Sequence, residues 1–337
     1  MEDERTSHYF HAEAHALAGK LKLPFQEEIK KQAFVKLEGQ LADLTDEERA
    51  QRNYFSQHAK DFRLEGIISY ASAHTQVSGH RSDKHDGASV TLATSVVENL
   101  NILNVVTADR VVAQISTTHL PGQYSPHVTF LGTHFENLRI ARHKAEPYMK
   151  LELAGARSAG EKATPVDAGT ELMKAIDAQY QRLKGWLAGQ DTKAMRLTEA
   201  DGFPPNKYYG FNLGAAGIQG KAQAAQENDA QPCNKRDKTK EWGGITCSLV
   251  EHVEIKNISA KGADGKSIEI PPPVKSFGHV IHIPDFGNIF LAELTVSHDT
   301  YNLTMIRVDM GCLAAGSAGV ASCSVNGGGK GGGGGGT

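Results

Sequence analysis

Near the start of the chain, His8, His11, Glu13 and His15 form the densest group of side chains able to ligate a metal. On a strand His11, Glu13 and His15 share a face; on a helix His11 and His15 stand one turn apart, and either form could offer donors to zinc or nickel. An exposed polar face near a terminus accounts for the same residues, and no HExxH signature accompanies them. A second group, His74, His80, Asp83, His85 and Asp86, lies in YASAHTQVSGHRSDKHDG, a polar turn between two strand regions. Its imidazoles and carboxylates could take a cation or an acidic glycan, because loops on rigid β scaffolds often carry binding.

Other candidates are less complete. His279 and His282, near Asp285, point to opposite faces of a strand over Val280 to Ile283, so one ion cannot take both without a bulge. Asp109 and Arg110 interrupt an apolar run; the Asp is paired with a cation or turns the chain, and no partner marks it as a catalytic carboxylate. GxSxG, GxGxxG and Walker loops are absent outside the glycine tail, so no catalytic residue and no cofactor-binding residue is assigned. NKRDKTK at 234–240 reads as a solvated loop rather than the broad basic surface that nucleic acid requires. Cys233, Cys247, Cys312 and Cys323 lack the spacing of a zinc ribbon; two disulfides or four buried thiols both fit.

The elements that must hold these residues are mostly strands. Tyr9 to Leu23 alternates at period two, with Tyr9, His11, Glu13, His15, Leu17, Leu21 and Leu23 on one face and Phe10 and alanines on the other. Gln26 to Gln57 reads as a polar surface excursion with a helix start at Thr45, followed by three acids. Residues 62–140 are rich in β-branched and apolar runs, cut by breaks such as Ser78-Gly79 and Pro121-Gly122. Strands in succession without helical periods imply antiparallel sheets in a sandwich or roll. ENLNI at 98–102 recurs as ENLRI at 136–140, 38 residues later, as if in equivalent strands of one sheet system. Leu172, Ala175, Ile176, Tyr180, Leu183 and Leu187 have helical spacing, with Asp167 or Thr170 placed to cap. Residues 190–244 are polar and broken; strands resume at CSLVEHVEIKNI and again after the three prolines at 271–273, with PDFGN at 284–288 as a turn.

Composition sets the outer limits. The 337 residues carry a net charge of −3 with histidine neutral, which gives no general attraction to nucleic acid or anionic membranes. No apolar run reaches the roughly 18–20 residues of a membrane-spanning helix. Fifteen histidines could charge together near pH 5 and alter association or solubility. The N-terminal sequence MEDERTSHYFHAEAHALAGK has no apolar h-region, so taken literally it keeps the protein in the cytoplasm.

SVVENLNILNVVTADRVVAQIST, VTFLGTHFENLRIA and IPDFGNIFLAELTVSHDTYNLTMIRVDM together resemble, in order and spacing, the bacterial choice-of-anchor P family. Val105 to Val111, Phe135 to Ile140 and Phe286 to Glu293 occupy that family's motif places over about half the chain, with Asp285 where a glycine is expected. The resemblance implies a largely β, exported or surface-attached protein and carries over no catalytic residue.

The sequence therefore describes a mainly β protein, an antiparallel sandwich or roll with an inserted helical and irregular segment. Residues 1–150 and 245–325 form one β-rich domain, 151–244 the insertion, and 326–337 a flexible glycine-rich tail. The expected role is noncatalytic in the envelope or outside the cell: structural, adhesive or ligand-binding, with a surface ligand or self-association as its partnership. A metal-dependent hydrolase using some of His11, Glu13, His15, His74 and His279 is one alternative. An intracellular interaction module presenting the helix and 190–244 is another.

Overall fold

The computed structural model describes residues 8–40, 53–82, 88–120, 126–151, 176, 178–191, 195, 197, 245–261, 266–296, 300–311 and 315–326. The first strands are β1 (Tyr9–Leu23), β2 (Glu27–Gln32), β3 (Val35–Gln40), β4 (Tyr54–Leu64), β5 (Ile68–Ser82), β6 (Ala88–Ile102), β7 (Val106–His119), β8 (His127–Thr129), β9 (His134–Glu136), β10 (Arg139–Ile140) and β11 (His143–Met149). After the helix come β12 (Ile245–Ser248), β13 (Val250–Ile255), β14 (Ile258–Lys261), β15 (Ser267–Ile270), β16 (Lys275–Phe277), β17 (Val280–Ile283), β18 (Gly287–Val296), β19 (Thr300–Gly311) and β20 (Ala315–Asn326).

Two nine-stranded sheets result, both antiparallel. Sheet 1 runs β16-β17-β18-β19-β20-β1-β2, with β12 on β18 and β3 on β1; sheet 2 runs β13-β11-β10-β7-β6-β5-β4, with β8 and β9 on β7. Their inner faces share one apolar core that draws on residues from Phe10 to Val325, with β1 and β20 lying over β5, β6 and β7. The mainly β, antiparallel architecture read from the sequence is the one the chain adopts, with one helix among the described residues. Close approach is possible because β1 offers Ala12, Ala14 and Ala16 inward, and Ser95 on β6 reaches across to donate to the His15 carbonyl at 2.9 Å.

Strict alternation fails midway along the long strands. On β1 the buried set is Phe10, Ala12, Ala14 and Ala16, then Leu17 and Leu21, so Leu17 faces inward while His15 faces outward. Ala16 lies on one cross-sheet line with Ala321, Met305 and Ala292, and in sheet 2 a matching line joins Asp61, Ala71, Asn99, Asp109 and Asn137. Left-handed φ values occur at Ala292 (47°), Ala321 (50°), Asp61 (54°), Asn99 (53°) and Asn137 (49°). The pairing register is unshifted on either side of each line, so no residue is inserted as in a bulge; one left-handed residue reverses the pleat instead. Partner strands must all reverse together to keep their apolar sets inward.

This explains the echo in the sequence. Glu98 and Glu136 sit opposite Arg110 on the two flanks of β7, and Leu100 and Leu138, just past each left-handed Asn, turn into the core. The turn residues Leu103 and Asn104 are both left-handed, as are Ala141 and Arg142, matching the primed turns that suit twisted hairpins. Asp61, Glu65 and Gly66 repeat the same conformations another 38 residues earlier, although DFRL carries little of the ENL sequence.

Three readings change. Much of the supposed excursion from Gln26 to Gln57 is β2, β3 and the start of β4, while Thr45 lies outside the described residues. β5 continues through Ser78-Gly79, because Gly79 is a seat rather than a break: a Cβ there would meet Phe10 Cδ1 at 2.6 Å. The polar turn expected from His74 is therefore strand as far as Ser82. The helix, by contrast, follows its periodicity: Ile176, Tyr180, Leu183 and Leu187 are buried, and Leu183 and Leu187 join Met195, Leu197, Phe277, Val280 and Phe290 over the outer face of sheet 1.

Candidate functional site

β1 carries His11, Glu13 and His15 on one outward face, yet they do not converge on an ion. Glu13 faces Lys31 at 2.9 Å and Lys36 at 3.6 Å. Burial works to raise its pKa, but the bond and charge of Lys31, with Lys36, hold the carboxyl below its ordinary value. Burial, with Lys31 nearby, lowers His15 to about 4. Among the described residues no group of three His, Cys, Asp or Glu side chains could hold a metal ion.

The second sequence group is divided by the strand it occupies. His74 lies within β5 and meets His58 of β4, Nδ1 to Nε2 at 3.1 Å, whereas His80 is exposed six residues further along; Asp83, His85 and Asp86 lie outside the described residues. His279 sits buried in the turn after β16, where burial and then the Arg307 charge lower it to about 4; His282 bonds Asn288 Oδ1 at 2.9 Å instead. Asp109 accepts from Asn137 Nδ2 at 2.6 Å, and Arg110 is 3.9 Å from Glu136 rather than paired with Asp109. Cys247 and Cys323 are buried free thiols, which corrects the disulfide alternative for these two; Cys233 and Cys312 lie outside the described residues, as do 234–240. Burial pushes Cys247 up to about 12, with Glu293 adding to it, and raises Cys323 further, so neither is a ready thiolate.

What the fold assembles on the outside is a hydrogen-bonding face across β4 to β7. Cross-strand register places Ser56, Gln76, Thr94 and Gln114 in one row, and His58, His74, Val96, Val112 and His134 in the next. A third row holds Lys60, Ser72, Glu98, Arg110 and Glu136. Gln114 Nε2 donates to Thr94 Oγ1 at 3.2 Å, Ser72 donates to Glu98, and His134 Nε2 stands 3.0 Å from Glu136 Oε1. His74 is lowered by burial and by its neighbour His58, opposed by a bond to Gln76. The opposite residues of the same strands, Ala73, Val77, Ala93, Ala113 and Ile115, fill the core, so alternation aims the polar set outward. Sequence reading recovered the strands but not this face; its signal was the alternating Ser, His and Gln of SYASAHTQ.

Face and core together offer hydrogen bonding on a stable backing sheet. Nothing among curated proteins and nothing among solved structures matches the chain. A family model described as a domain of unknown function (DUF8256) matches residues 8–297, and the chain belongs to that family.

Proposed function

We propose that the protein is a noncatalytic β-sandwich module of the cell envelope or exterior with an adhesive or ligand-binding role. The observation that carries this reading is the outer face of β4 to β7, where rows of Ser, Thr, Gln and His side chains present donors and acceptors on a sheet braced by the core. Hydroxyl and amide groups in cross-strand rows suit a hydroxyl-rich partner such as a surface polysaccharide, since a site of hydrogen-bonding groups rejects partners that leave them unpaired. The resemblance to the choice-of-anchor P family supports the location outside the cytoplasm.

Fractionation and protease shaving of the native cells test the location, and recovery solely in the cytosol removes it. Sedimentation of the full chain with insoluble cell-wall polysaccharide tests the contact. Gln76→Lys and Thr94→Lys place bulk and charge on the face without touching the core, and both should reduce binding. Undiminished binding by both variants would move the contact elsewhere.

A further inference from the structure

At the end of the sandwich away from the 38-residue-spaced turns, the interior becomes polar. Inner rows of sheet 2 place Arg81, Ser89 and His119 across β5, β6 and β7, then Gly79, Thr91 and Thr117 behind them. From the other sheet, His8 stands just ahead of β1 with its ring centroid 4.5 Å from that of His119, and Phe10 meets His8 edge-on at 4.7 Å. Asn326, at the end of β20, donates from Nδ2 to the Tyr9 carbonyl at 2.9 Å. Asn53 joins them through its carbonyl, which accepts from Gly79 N at 2.9 Å.

Ten buried side-chain nitrogen and oxygen atoms among the described residues lack a hydrogen-bond partner, and seven of them are here. They are His8 Nε2, Asn53 Oδ1, Thr91 Oγ1, Thr117 Oγ1, both ring nitrogens of His119, one of which lies close enough to the Asn326 backbone to feel it, and Asn326 Oδ1. Buried polar atoms are normally paired, and a concentration of unpaired ones calls for something to pair them. Water is a poor candidate because these atoms have almost no surface that a water molecule could reach. A metal ion sits about 2.0–2.1 Å from an imidazole nitrogen, well inside the roughly 2.7–3.2 Å of a hydrogen bond, so it needs less room.

We propose that His8 and His119, assisted by the side-chain carbonyl of Asn326, bind a late transition-metal ion of the zinc, nickel or copper class and so pin β1 of sheet 1 to β7 of sheet 2. The donor types choose the ion: two imidazole nitrogens and one amide oxygen favour these metals over calcium or magnesium, which take oxygen sets. Protonation does not compete near neutrality. Burial, then His119 and Arg81, lower His8 to about 4, and burial lowers His119 although the Asn326 backbone opposes it. Each ring therefore has a lone pair to give. Among the described residues Arg81 is the arginine whose charge acts on His8, and its exposure lets solvent screen it. This site is separate from the outer face of β4 to β7 and stands or falls without it.

The test uses the full chain without a histidine tag, stripped with EDTA and titrated with zinc chloride by calorimetry, with bound zinc counted after dialysis. One equivalent should bind the wild type and raise its thermal midpoint. His119→Gln and His8→Gln should each weaken binding at least about tenfold and abolish the midpoint shift. His58→Gln, which removes half of the other close histidine pair, should leave both readouts intact. Circular dichroism establishes that each variant is folded, and if His119→Gln is not, the half-buried His8→Gln decides. Failure of the wild type to bind, or loss of binding in His58→Gln with retention in His8→Gln, overturns the proposal.

Discussion

Asn99 and Asn137, 38 residues apart, stand on opposite flanks of Asp109 with nearly the same left-handed φ, 53° and 49°. Asn is among the few residues that tolerate this region, and in each case the following leucine is thereby turned into the core. A β-branched side chain has no such tolerance. Asn99→Val should therefore cost about 1–3 kcal/mol, whereas Asn99→Gly should be near neutral. Urea unfolding of the two variants checks this, and equal losses would mean that the side chain, not the backbone conformation, matters.

Gln179 and the corner at Ser248 predict how the helix is held. Gln179 Oε1 accepts from Ser248 N at 2.9 Å, and Nε2 donates to the carbonyls of Ser248 at 2.9 Å and Val250 at 3.3 Å, where the chain passes from sheet 1 into sheet 2. Gln179→Leu would leave those backbone groups unpaired and should cost about 2–4 kcal/mol. Amide exchange at Ser248 should accelerate with it, while exchange in β6 stays slow.

Acid should weaken the fold through its buried histidines. His279 has a folded pKa of about 4 against an ordinary 6.5, so between these values the unfolded chain binds the proton first. Its neutral burial carries no penalty above about pH 6.5, and stability falls as pH drops from there to about 4, by roughly 3 kcal/mol for this one group. His8 and His15 act in the same direction over the same window. Denaturant midpoints measured from pH 7.5 to 4.5 should fall, and His279→Phe should flatten part of that slope. A pH-independent midpoint would contradict the burial of all three.

Cys247 and Cys323 should resist alkylation in the folded protein. Both are buried thiols with raised pKa values, and Cys323 Sγ donates to the Ala113 carbonyl at 3.5 Å across the core. Peptide mass spectrometry after iodoacetamide treatment should find them modified only once denaturant is added. Modification under native conditions at the same rate would show that the core opens there.

The sequence disclosed the strands and the helix because burial leaves a periodic trace, as in Leu183 and Leu187 or Val77, Ala93 and Ile115. It misled wherever a single conformational event reversed the period. Alternation alone puts Leu17 with His15, because nothing in Ala16 signals the reversal; the left-handed residue on that line is Ala321, on the neighbouring strand. Gly79 looked like punctuation, and only the aromatic ring of Phe10 from the other sheet gives it a purpose. The outer polar rows and the pairing of His8 with His119 depend on strands distant in sequence, so no local spacing could disclose them.

Sheet 1 places β1 beside β20, so the earliest described strand has its long partner at residues 315–326, far along the chain. During translation β4 to β7 can pair by hairpins as they emerge, while β1 has only β2 and β3 until residue 326 leaves the ribosome. Until then β1 can already lie over β5 and β6, but β7 lacks the cover that β19 and β20 give it.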